Sequence, residues 1–369
     1  MSGKKNSRNV GGIGLDTLLM AIAFKVQALP PNSVYQVLIG KRTATTLFFA
    51  FSNNLTAYFG LYPKLAKDAW MSYTQNVAEY ISVEAIFRQN DQINYMHLLV
   101  DDILQKRNGL IIPSHHHKHH LAFKLLLQVL SNIQAENPHY SPIVQDLEVQ
   151  QLIKDFISMG KSADAPQAGL QAITKSLHQQ LAKELSAFPD QAALIFLEQF
   201  EGAKLPAQTL EQVAENHQIS KRAVVITQQA LMDQIYQNWV SGHTLGAETQ
   251  WLQIFAQGVF NQFPIWNQTT QDTLNLINQG WSLQKIADRR RLKLSTITEH
   301  IIEITLSFPW IIQPIVVEEL NLKDISSLVS QEPDENYESF KTRFGEKDYW
   351  LYRYWHIVYQ KGAHDDRLA

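Results

Sequence analysis

The chain has no cysteine among its 369 residues. That excludes disulfides, Cys-ligated zinc, iron–sulfur clusters and a thiol nucleophile, and it suits a reducing cytosol. A strong charge of either sign is also missing, since 32 Lys and Arg stand against 35 Asp and Glu, a net of −3. No global field draws such a chain onto nucleic acid, so any such contact has to come from a local patch. Long apolar runs are absent as well. The nearest approach, Leu18 to Phe24, is bracketed by Asp16 and Lys25. At roughly eight residues it is marginal for a signal peptide and far too short to span a bilayer. The expectation is a cytoplasmic protein with no membrane association. Lys4, Lys5 and Arg8 then belong to a floppy basic tail.

Strand signals are scarce, and no pair of β-branched runs flanks a hairpin turn. Helical periodicity is present almost throughout. Leu18, Ile22 and Val26 recur at helical spacing until Pro30-Pro31, and Val34 to Ile39 makes a short apolar segment. Further periodic runs cover residues 43–57, 66–87, 94–105 and 121–133. The fold class expected is all-α, with more than one domain. Small residues and breakers at 158–169 and, more weakly, at 238–247 suggest borders. The expected division is a disordered tail at 1–14, helical domains at 15–157 and 170–240, a binding domain at 247–330 and an aromatic segment at 334–362.

No active-site pattern stands out. Met159-Gly-Lys-Ser162 has the ending of a phosphate-binding loop, but Asp155 stands where its first glycine belongs and no strand precedes it. The run His115-His-His-Lys-His-His120 follows Pro113 with no second ligand group at defined spacing, so a variable surface loop is the better reading, weak binding of nickel or zinc being the alternative. No catalytic residue, cofactor or metal is expected.

The recognisable module lies between Thr270 and Phe308. Leu283, Ile286 and Ala287 fit a short first helix, Arg289 to Leu294 a basic turn, and Ser295 or Thr296 a cap for a second helix running to about Phe308. Small Ala287 lets the two helices cross closely, while Leu292 and Ile297 plug the corner. Over residues 282–308 five cations face three carboxylates, and Arg289, Arg290, Arg291 and Lys293 crowd into five positions. Such a turn can approach a phosphate backbone, with Thr296 and His300 beside it on the outward face; the alternative is a solvated loop. Glu299 and Glu303 share that face and repel phosphates, which disfavours strong sequence-specific binding. Phosphate contact, branched or single-stranded substrates, or a protein partner fit better.

Residues 210–224 echo residues 283–297 at an offset of 73. Leu210, Val213, Ala214, Ile219 and Val224 stand on Leu283, Ile286, Ala287, Leu292 and Ile297. This is either a second helix-turn-helix, structural or protein-facing because its turn lacks arginines, or a chance match between helical sequences. Near the end, residues 349–359 hold six aromatics. On a helix Trp350, Tyr354 and Ile357 share one face, which is core. Tyr349, Tyr352, His356 and Tyr359 line another beside Arg353, either stacking on bases or a partner, or burying against the preceding helices.

The run from Gln279 to Ile302 resembles the helicase helix-turn-helix domain found at the C-terminus of some RecQ-type helicases and in stand-alone YpbB-like bacterial proteins. The matched features are the Ile286-Ala287 pair, the Arg291-Leu-Lys293 turn and the Ser295-Thr-Ile-x-x-His300 helix start. Ser33-Val-Tyr35 to Gly40-Lys41, Tyr58 to Leu65, and Tyr349 to Tyr354 also look YpbB-like. The resemblance implies a protein that works beside a RecQ-type helicase, which supplies the motor. Together these readings predict a non-catalytic DNA-binding accessory in repair or recombination. A protein-interaction scaffold is the alternative; a transcriptional regulator is disfavoured by the acidic outward face.

Overall fold

The computed structural model describes residues 17–75, 98–107, 116–160, 166–242, 245–246, 249–334 and 336–362. The tail expected at 1–14 lies outside them. The described residues form eighteen α-helices and no strand, so the chain is all-α as expected. None of these helices is long and apolar enough to cross a membrane.

The N-terminal part holds α1 (Thr17–Lys25), α2 (Pro31–Leu38), α3 (Ala44–Ser52) and α4 (Lys67–Gln75). The proline pair does more than end a helix. Pro31 opens α2 at a first-turn position, where its missing N–H costs nothing. Thr43 caps α3 by accepting from the Thr46 N–H. A Cβ on Gly40, at φ +73°, would come within 2.9 Å of the Gly60 Cα. Glycine is needed there because the chain returns along the end of α2, with Gly60 N–H on Val37 O and Tyr62 N–H on Leu38 O. A short helical turn at Leu99–Lys106 leads to Arg107.

Next come α5 (His116–Gln134), α6 (Leu147–Met159), α7 (Pro166–Leu185), α8 (Asp190–Leu197), α9 (Leu210–Asn216) and α10 (Lys221–Ser241). The histidine run is not a surface loop. Most of it is the first turn of α5, where His119 is buried among Tyr236, Phe260 and Phe263, its Nε2 2.6 Å from Phe263 O. Helix α10 is the axis of the molecule, with eleven of its residues buried. Arg107 fastens the N-terminal part to it, donating to Asp233 Oδ2 (2.8 Å) and to the carbonyls of Ala57 and Phe59. Burial lowers the guanidinium pKa, and Asp233 opposes that.

The C-terminal part contains α11 (Gln250–Gln262), α12 (Gln268–Asn278), α13 (Leu283–Arg290), α14 (Leu294–Ser307), α15 (Pro309–Glu319), α16 (Ser326–Val329), α17 (Tyr337–Phe344) and α18 (Tyr349–Gly362). Helix α11 packs on α5, α6 and α10, and α3 packs on α14 and α18. Contacts therefore cross both expected borders. The buried side chains form one cluster running from Leu18 to Val358.

Candidate nucleic-acid interface

Helices α12, α13 and α14 make the three-helix unit of a helix-turn-helix. Leu283, Ile286, Ala287 and Ile297 are buried at the crossing, and Leu292 is half-buried in the corner. The turn is tighter than the sequence suggests, because α13 continues through Arg290. Only Arg291 to Lys293 lie between the helices. Arg291 adopts the left-handed conformation at φ 55°, and the chain closes with Leu292 N–H on Ala287 O at 3.0 Å. Neither Ser295 nor Thr296 caps α14. Lys293 holds the cap position without a side-chain hydrogen bond.

The four expected cations separate into two groups. Arg289, Arg291 and Lys293 are exposed, as is neighbouring Lys285, and among the described residues none has a carboxylate partner. Arg290 folds back instead. It donates to Thr269 O (2.6 Å), Thr269 Oγ1 (2.8 Å) and Thr273 Oγ1, and lies 3.6 Å from Asp272. Its role is to pin α12 to α13, which removes it from the candidate phosphate contacts.

Two residues expected on the outward face of α14 are inside. His300 is buried, its Nδ1 2.7 Å from Thr273 Oγ1. Burial lowers its pKa, nearby Arg290 adds to that, and Glu303 opposes it. Glu303 is buried too, accepting from Arg42 Nε at 2.5 Å and from Thr270 Oγ1 at 2.8 Å. The physical reason is that α12 and α3 both pack against α14, α12 meeting His300 and Glu303 through Thr273 and Thr270. A helix packed against neighbours on several sides has no single outward stripe. From His300 to Ser307 every residue of α14 is buried, so only its first turn and a half faces outward, with Ser295 and Glu299 exposed and Thr296 half-buried.

The aromatic helix is likewise core on more than one face. Trp350, Tyr354 and Ile357 are buried as expected. Tyr352 is buried also, against Tyr337, Phe340 and His356, with its hydroxyl donating to Asp334 O at 3.2 Å. His356 packs edge-on to Phe48 of α3, and Tyr359 is half-buried. Of the expected stacking surface, Tyr349 alone is well exposed, at 42%. Arg353 lies beneath it, 4.6 Å from its ring centre and 5.3 Å from that of Phe48. Trp355 was not singled out by sequence, yet it is fully buried, its indole N–H donating to Leu328 O and Gln331 O. Six aromatics in eleven residues were the available signal that more than one face of this helix is buried.

The internal echo is geometric. Helices α9 and α10 form a second helix–turn–helix in which Gln218, 73 residues before Arg291, also sits at a left-handed φ of 52°. Ile219 N–H bonds Ala214 O at 3.0 Å, just as Leu292 bonds Ala287. Ser220 caps α10, and Thr209 makes a capping box with Gln212. Here the second helix is the buried axis of the molecule.

Residues 269–355 match a helix-turn-helix domain family. The match begins in α12 and ends in α18, so it takes in the aromatic helix along with the helix pair. Over 292 residues the chain is 24% identical to Protein YpbB of Bacillus subtilis (strain 168), covering 75% of this chain and 78% of that protein. No solved structure matches the chain.

Proposed function

We propose that this protein binds DNA through the end of α13 and the turn into α14, mainly by phosphate contacts. The observation that carries this reading is the set Arg289, Arg291, Lys293 and Lys285, which are exposed and without carboxylate partners among the described residues. Unpaired cations beside a helix N-terminus suit a polyanion. The match to a helix-turn-helix domain family supports it. Little of α14 is accessible for reading bases, so binding is non-sequence-specific or structure-specific. The protein does no chemistry of its own. In the reading carried by the resemblance to the helicase helix-turn-helix domain, it assists a RecQ-type helicase in repair or recombination.

Replacing Arg289, Arg291 and Lys293 together by Ala should weaken binding about equally across sequences. It should also flatten the dependence of log affinity on log salt by roughly 0.9 unit per lost phosphate contact. Unchanged affinity in the folded triple variant sinks the proposal. A second reading, a scaffold with structural helix-turn-helix elements, is favoured by the packing of α3 and α18 on α14. It predicts no DNA binding even at low salt, and helicase capture from extract that survives nuclease.

A further inference from the structure

Beside the exposed turn of α14 lies a cleft of about 370 Å³. Ser295, Thr298, Glu299 and Ile302 form its wall on α14, Ala44 and Thr45 its wall on α3, and residues 348–350 with Arg353 its wall on α18. Ser295 is two residues from Lys293, so the cleft adjoins the cation patch.

Its chemistry differs from that of the patch. Glu299 and Asp348 bring two carboxylates against one cation, Arg353, which is unfavourable for a second phosphate. An exposed tyrosine stands at the cleft, held by Tyr337 edge-on at 4.9 Å, by Tyr352 stacked at 5.6 Å and by the Arg353 guanidinium. An aromatic platform, carboxylate acceptors and a serine hydroxyl are groups that hold an uncharged, planar, amine-bearing heterocycle. The volume lies in the range of small-molecule sites.

We propose that this cleft takes one unpaired nucleobase from the single strand at the end of a duplex, while the cation patch holds the duplex backbone. The base lies against Tyr349, and its exocyclic amine donates to Glu299 or Asp348. Cytosine, adenine and guanine carry such an amine and thymine does not. The ligand class is therefore a junction between double- and single-stranded DNA. This rests on the phosphate-binding reading above and adds the source of its structural preference.

The test compares a blunt duplex with the same duplex bearing a short overhang, and places fluorescent 2-aminopurine at the first unpaired position. The protein should bind the overhang substrate about ten-fold more tightly, as stacking of one base allows, and should quench the probe. An unpaired dC there should bind more tightly than dT. Tyr349→Ala should abolish both preference and quenching and leave blunt-duplex affinity unchanged. Since Tyr349 also touches the aromatic cluster, Ser295→Phe serves as an independent variant that fills the cleft from an exposed position. Blunt-duplex binding with no overhang preference, or a preference surviving both folded variants, overturns the cleft site and leaves the phosphate reading standing. No affinity for either DNA overturns both.

Discussion

Arg291 is held at a φ of 55°, where an L side chain costs about 1–2 kcal/mol over the right-handed region. Glycine removes that strain but adds roughly 0.5–1 kcal/mol of unfolded-state entropy. Arg291→Gly should thus leave the melting temperature unchanged or slightly raised, and still lower the salt slope of DNA binding by about one contact. A melt and a salt titration on the same variant separate the two effects. Among the three consecutive arginines, sequence marked a basic turn but could not say which one folds back. Successive helical residues point about 100° apart, so ending α13 two residues later than expected turns Arg290 toward Thr269 and Thr273. His300 gives a pH effect of definite sign. Burial lowers its folded pKa below the ordinary 6.5, so the unfolded state binds the extra proton. Stability is fully present above about pH 6.5 and falls as pH drops through that value toward the folded pKa. His356 is lowered by burial as well and acts in the same direction. Denaturant melts at pH 7.5 and 5.5 should show the loss, and His300→Gln should reduce it; an identical loss in the variant removes His300 from the explanation.

At the scale of elements, helix positions were legible because periodicity and breakers are local. Most corner residues of both helix-turn-helix units follow from spacing, although Leu210, the counterpart of buried Leu283, is exposed; the offset of 73 returns as two matching left-handed turns. What covers each helix was not legible. The side of α14 bearing His300 and Glu303 looks polar in sequence, and their burial follows from Thr273 and Thr270 of α12 and from the arrival of α3 with Arg42, 261 residues before Glu303. The same helix accounts for α18, where Phe48 meets His356 and Arg353. Tyr352→Ala should therefore cost on the scale of a buried aromatic deletion, about 3–5 kcal/mol, and Trp355→Ala at least as much because it also orphans two carbonyls. Tyr349→Ala should cost far less. Equal, small losses at Tyr352 and Tyr349 would show that the aromatic helix is less firmly packed than its contacts imply.

For the whole molecule, the small-residue stretches at 158–169 and 238–247 looked like linkers between independent domains. Composition reports local flexibility and says nothing of packing on either side. Because one buried cluster runs from Leu18 to Val358, and Arg107 is a buried ion pair joining the N-terminal part to α10, calorimetry should show a single cooperative transition. Two or more resolved transitions would mean that the segments fold separately despite their contacts. Helix α14 is gripped on every side beyond Glu299, and α13 is pinned to α12 by Arg290. Docking a duplex on that surface then asks almost no ordering of the protein. The cost that disordered basic tails incur on meeting nucleic acid, several kcal/mol of lost freedom, was met here when the chain folded. On the proposed reading, the protein meets DNA as a rigid die, with its charge pattern already cast.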